Sequence, residues 1–103
     1  MELLKEIEKS FPRIEKLFTN ETLLEFLETE YGDLGKYNFG LGTLIRLKLL
    51  RPDRVLYKVF VQNDYTDKEK MSMKMIIEFH GCVAAGYFVP KILSPASPRP
   101  GTI

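Results

Sequence analysis

Apolar residues recur at steps of three and four along the first part of the chain: Leu3, Leu4, Ile7, then Phe11, Ile14, Leu17 and Phe18. That is the stripe a helix presents to a core. Pro12 interrupts it. Either two short helices meet near Ser10, or a second one starts there with Ser10 as N-cap and Pro12 in its first turn. Thr19 and Asn20 then supply N-cap chemistry before Leu23, Leu24, Phe26 and Leu27, with Glu21 in the favoured first turn. Gly32 is expected to stop that helix, because glycine adopts the left-handed C-cap conformation without steric cost. Asp33 to Lys36 reads as a connection. Leu41 to Leu50 forms a compact apolar helix carrying Arg46 and Lys48, and Pro52 ends it.

Residues 54–62 fit two periods. Val55, Leu56, Val59 and Phe60 share a helical face, yet Val55, Tyr57, Val59 and Val61 alternate as a strand does. The β-branched residues lean towards strand. The helical neighbours lean the other way, since a lone strand has nothing to pair with. Asp53 is the expected cap of this segment. Thr66-Asp67-Lys68-Glu69 reads as a capping box, with Thr66 and Glu69 exchanging side-chain and backbone bonds. The helix it opens runs through Met71, Met75, Ile76 and Phe79 and stops near Gly81 or Gly86. Residues 87–103 are apolar and then rich in proline, with Pro95, Pro98 and Pro100 close together, and are expected to form an irregular tail. The fold class predicted is all-α: a single domain over residues 1–86, a bundle of about five short helices, followed by that tail.

Length and composition agree with this picture. A chain of 103 residues fits one domain and can bury a single core without metal or disulfide support. No apolar run approaches the roughly 20 residues needed to cross a bilayer. The acidic, amphipathic start is unlike a secretory signal, so a cytoplasmic location is expected. Cys82 is the single cysteine, which leaves no internal disulfide and no cysteine-based zinc site. The one histidine, His80, is two positions away, where helical side chains diverge, so a cysteine–histidine dyad is a weak reading.

Charge is distributed unevenly. Residues 1–33 hold nine acids against four bases, and residues 34–103 hold eleven bases against five acids. The simple explanation is that the two parts attract one another, within the fold or across a dimer. The functional one is a basic face of Arg46, Lys48, Arg51, Arg54 and Lys58 that meets an acidic partner. Nucleic acid is a poor partner for the whole chain, because the acidic part repels phosphates.

The segment Phe39-Gly40-Leu41-Gly42-Thr43-Leu44-Ile45-Arg46 packs two glycines, a hydroxyl and a guanidinium into apolar surroundings. It resembles the signature of a family of small bacterial and phage-associated domains of unknown function, whose members typically read Phe-Gly-Leu-Gly-Thr-Trp-Ile-Arg. Met71-Ser72 and Ile76-Ile77 stand where that family's second signature falls, and the likeness covers about residues 37 to 80. Leu44 replaces the family's tryptophan, and Leu47-Lys48 replace an asparagine pair. The resemblance implies a small helical fold with a helix at residues 54–62. It implies no reaction.

Gly40-x-Gly42 ahead of a helix raises the thought of a phosphate cradle. The dinucleotide pattern needs a third glycine, a preceding strand and a later acid, and the P-loop needs Gly-Lys-Ser/Thr; none is present. A tight turn with Thr43 capping the helix or lying in its first turn is the structural alternative. Arg46 is expected to hold a carboxylate of the acidic N-terminal helices in a bidentate pair. Glu25, Glu28, Glu30 and Asp33 read as a solvated face rather than a metal site, and Met71, Met73 and Met75 as core filling. His80 reads as a capping residue at the end of its helix. No cofactor, metal or catalytic group is expected. The chain reads as a non-catalytic protein-binding factor, of the inhibitor or immunity type that the resemblance brings to mind, docking through the basic strip and the acidic face at Glu25 and Glu28. The rival is a small phosphate- or nucleotide-binding domain or enzyme built on Gly40, Gly42 and Arg46. A homo-oligomer paired by opposite charges is a third reading.

Overall fold

A computed structural model describes residues 2–93. Six α-helices run through it in chain order: α1 (Glu2–Lys9), α2 (Phe11–Glu15), α3 (Asn20–Glu28), α4 (Leu41–Lys48), α5 (Val55–Gln62) and α6 (Lys68–Ala84). Two 3₁₀ segments, Tyr31–Asn38 and Lys91–Leu93, complete them, and no strand occurs among the described residues. The all-α expectation holds, with one helix more than anticipated and a final helix that is not short. The helix α6 is the central beam, packed against α1, α3, α4 and the first 3₁₀ segment, while α1 also lies along α5.

The buried residues follow the stripes. Ile7, Phe11, Ile14, Leu23, Phe26, Ile45, Phe60, Met71, Met75, Ile76 and Phe79 form one core. Met73 is only partly buried, as its position off the Met71–Met75 face requires. In α5 the buried set is Leu56, Val59 and Phe60, at helical spacing, and the alternating Val55 and Val61 point outward. The helical reading wins because that face has α1 to pack against, whereas a strand would leave its backbone groups unpaired. Around Phe79 the rings of Phe11, Phe18, Phe26 and Phe88 gather at centroid distances of 5.4 to 6.3 Å. Phe88 lies beyond the boundary expected at residue 86, and Glu15 accepts a hydrogen bond from the Lys91 amide at 2.8 Å. Packing therefore continues past Gly86 to residue 93. The proline-rich part of the expected tail, residues 94–103, lies outside the described residues.

Several helix ends differ from expectation. Ser10 does sit between α1 and α2, but its hydroxyl donates back to the Ile7 carbonyl instead of capping α2. Thr19 caps α3 as expected, in a reciprocal box with Thr22. That helix stops at Thr29, whose hydroxyl donates to the Glu25 carbonyl at 2.9 Å. Gly32 is not its stop; it lies inside the 3₁₀ segment that replaces the expected connection. Asp53 does not cap α5, where Arg54 holds the N-cap position without a side-chain bond. Thr66 and Glu69 do not form the capping box. Asp67 is the N-cap of α6 and its carboxylate accepts from the Glu69 amide at 2.8 Å, so the helix begins one residue later than the motif implies. The end of α6 is a Schellman closure: Gly86 at φ +82° donates to the Val83 carbonyl, and Tyr87 to that of Cys82. Asp67→Ala is expected to lower stability by about 1 kcal/mol, and Thr66→Ala to leave the denaturation midpoint unchanged. Equal midpoints for the two variants in urea would reverse the assignment.

Candidate functional site

The glycine corner is built from the end of the first 3₁₀ segment and the start of α4. Gly40 is the N-cap of α4 with ordinary negative φ, and a Cβ built there meets nothing within 4 Å. Its glycine is not demanded by the turn, contrary to expectation. Gly42 is different. A Cβ there would lie 3.0 Å from Nη1 of Arg46, 3.3 Å from Oδ1 of Asn38 and 3.4 Å from the Tyr37 carbonyl. The residue is glycine because the arginine side chain folds back over it.

That guanidinium is the organising group. Its Nη1 donates to Oδ1 of Asn38 at 3.1 Å and to Oγ of Ser72 at 2.8 Å. Its Nη2 donates to the Asn38 carbonyl at 3.1 Å and to Oγ1 of Thr43 at 3.1 Å. Thr43, in the first turn of α4, in turn donates to the Phe39 carbonyl. Ser72 is fully buried and donates to the Glu69 carbonyl. One side chain thus ties the 3₁₀ segment, α4 and α6 together. The expected carboxylate partner is absent from this set: every acceptor is neutral. All four hydrogens on the two terminal nitrogens are engaged, so an incoming phosphate would have to displace Asn38 or Ser72. Neither Asn38 nor Ser72 was assigned as a partner of Arg46 from the sequence, where Ser72 entered only through the Met71-Ser72 signature. Ser72 could have been so assigned, since it shares the stripe of Met75, Ile76 and Phe79, where a polar group needs a partner.

The helix bonus of alanine over glycine, about 1 kcal/mol, competes here with displacement of the guanidinium. The close approach wins, because the two crowding atoms, Nη1 of Arg46 and Oδ1 of Asn38, are bonded to each other and held by Ser72 and Thr43, so neither can give way alone. Gly42→Ala is expected to destabilise by about 1–2 kcal/mol while Gly40→Ala is neutral. Chemical denaturation of the pair checks this; equal effects would remove the packing account.

With Arg46 turned inward, the expected basic strip loses one member. Lys48, Arg51, Arg54 and Lys58 remain exposed. Arg51 makes only a long contact with Asp53, at 3.8 Å. Arg54 lies beside Lys9 and Arg13 around a surface cavity of about 250 Å³ between α1, α2 and α5. Glu6 lines the same cavity and pairs with Lys9, so of the two bases from the acidic part only Arg13 extends the basic surface. Opposite in sign, Glu25 and Glu28 stand exposed on α3 with Leu24.

The expectation that the two oppositely charged parts pair within the fold is not met. The ion pairs among the described residues are Lys9–Glu6 at 3.0 Å, Arg51–Asp53 and Lys74–Glu78 at 2.9 Å, each within four positions in sequence. None joins residues 1–33 to the rest. The hydrogen bond that the Lys74 ammonium donates to the Glu78 carboxylate holds its pKa above the usual lysine range.

The remaining candidates have structural roles. His80 lies inside α6, not at its end; its Nε2 donates to the Thr29 carbonyl at 2.9 Å and so caps the neighbouring α3. Its ring sits edge-on to Phe26. Cys82 faces another side, near Glu8, Phe11 and Phe88. Burial, with the charges of Glu78 and Glu8, pushes its thiol pKa up, which suits a packing residue rather than a nucleophile. Among the described residues no three of His, Cys, Asp and Glu are grouped to hold a metal ion. No helix among them is long and apolar enough to cross a membrane. No curated protein and no solved structure matches the chain. A family model does match, over residues 5–81, which spans α1 to the body of α6 and includes the whole Arg46 corner; the chain belongs to the family described as a domain of unknown function, DUF6794.

Proposed function

We propose that this protein is a non-catalytic binding factor that acts by covering an acidic surface of a partner protein with its α4–α5 side. The observation carrying this reading is the unpaired charge: Lys48, Arg54 and Lys58 face solvent, and among the described residues no ion pair joins them to the acids of the first three helices. Exposed charge at that density costs self-repulsion and gains nothing inside the fold, whereas it steers association with a surface of opposite sign. Val55, at 61% exposure, supplies an apolar anchor beside Arg54. The role fits a small inhibitor or immunity-type protein of bacterial or phage conflict systems, which works by occupancy and needs no reacting groups.

Affinity capture from the native host with the wild type and an Arg54→Glu/Lys58→Glu variant tests it. A protein retained by the wild type and lost by the variant, with both chains melting alike, is the expected result. Identical retention by the two chains would sink the reading.

A further inference from the structure

Between the α2–α3 connection, α3, the first 3₁₀ segment and α4 lies an apolar groove of about 210 Å³, lined by Leu17, Phe18, Thr22, Tyr37, Leu41 and Leu44. Its two rims carry opposite charge. On α3, Thr22 lines the groove, and Thr29 bonds the hydroxyl of Tyr37, which lines it too, at 3.0 Å. Glu25 is one turn from each, so it stands on that rim, with Glu21 one turn before it. On the other side Lys48 follows Leu44 at four positions on α4, and Leu47, 68% exposed, stands beside it. Neither rim is neutralised by the other: no ion pair links Glu21 or Glu25 to Lys48.

We propose that a second copy of this chain occupies this groove. An occupant must present bases to the α3 rim, acids to the α4 rim and apolar side chains beside them. A purely acidic partner meets Glu25 with like charge and fails at one rim. The same face, turned about a two-fold axis running along the groove, satisfies both. Glu25 of each copy then meets Lys48 of the other, and the exposed Leu44 and Leu47 cover one another's grooves. This is an isologous contact, which closes at two copies. The patch is smaller than the roughly 20–30 residues a side of a standard interface, so a dissociation constant of about 10–100 µM and strong salt sensitivity are expected. The inference stands apart from the partner reading, although an acidic partner would compete for Lys48.

Sedimentation velocity on the purified chain, from about 10 to 200 µM in about 50 and 500 mM salt, tests it. The wild type should move from 11.9 kDa towards twice that mass with concentration at low salt, and return at high salt. Glu25→Lys alone and Lys48→Glu alone should each weaken the dimer about tenfold or more. Both reversals in one chain rebuild the contact with its signs exchanged and should recover the wild-type constant to within about threefold. These are solvent-exposed positions, and thermal melts confirm that each variant is folded. A wild type that stays monomeric throughout, one that grows past the dimer, or a double variant no better than the singles overturns the proposal. Because only the purified chain is used, a monomeric result leaves capture of a different protein by Arg54 and Lys58 standing.

Discussion

Phe79→Ala is expected to lower the melting temperature by about 15–25 °C, the largest effect of any single truncation in the chain. Phe79 is fully buried on α6 and its ring meets those of Phe11, Phe18, Phe26 and Phe88, which come from α2, the α2–α3 connection, α3 and the segment after Gly86. Removing it takes away the transfer energy of the ring and leaves a cavity bordered by four elements that cannot all move inward. Truncations of this kind cost about 3–5 kcal/mol. A small domain has about 5–15 kcal/mol in total, so the variant sits near the edge of folding. Phe79→Leu keeps most of the volume and should lose less than half as much. Calorimetry or a circular-dichroism melt gives the result. A fall under about 5 °C would mean that the aromatic cluster is not the centre of the core.

Arg46→Ala is expected to cost about 2–4 kcal/mol, with a melting temperature about 10–15 °C lower. The guanidinium makes four charge-assisted bonds to neutral acceptors, and hydrogen bonds to charged groups contribute more than neutral ones. They are not additive, since one side chain makes them all. Arg46→Lys is the informative control. An ammonium is a point donor and cannot span Asn38, Thr43 and Ser72 at once, so it should recover less than half of the loss. Full recovery by lysine would show that charge alone matters there. An alanine variant that melts with the wild type while losing its partner would make Arg46 a contact residue instead of a clamp.

The glycine corner shows why the site was harder to read than the fold. Gly40 and Gly42 look equivalent in sequence, yet only Gly42 is crowded, because the crowding group arrives from Arg46 one turn on and from Asn38 in the preceding segment. Ser72 is twenty-six positions away from Arg46, and no local pattern pairs them. The capping motif at Thr66 failed by one residue for a related reason. Asp67 offers the same chemistry as Thr66, with a carboxylate that favours the positive end of the helix more strongly, so two overlapping caps compete and the stronger one sets the start. Within the expected strip of bases Arg46 turns inward, to a corner that needed a donor, while Lys48, Arg51, Arg54 and Lys58 stay exposed.

Residues 54–62 fitted helix and strand alike until α1 supplied a face to pack on, and what the order of residues determined by itself was the helical class and the stripes that enter the core. These follow from a period of 3.6 and from burial, which act over a few neighbouring positions. Tertiary structure alone decided the partner of Arg46, the role of His80 as a cap for α3, the return of Phe88 into the core, and the fate of the two charged sets. Those outcomes depend on which surfaces meet after collapse. Hydrophobic burial placed the helices, and the charges were left where that packing put them, because an exposed ion pair contributes too little to redirect a core.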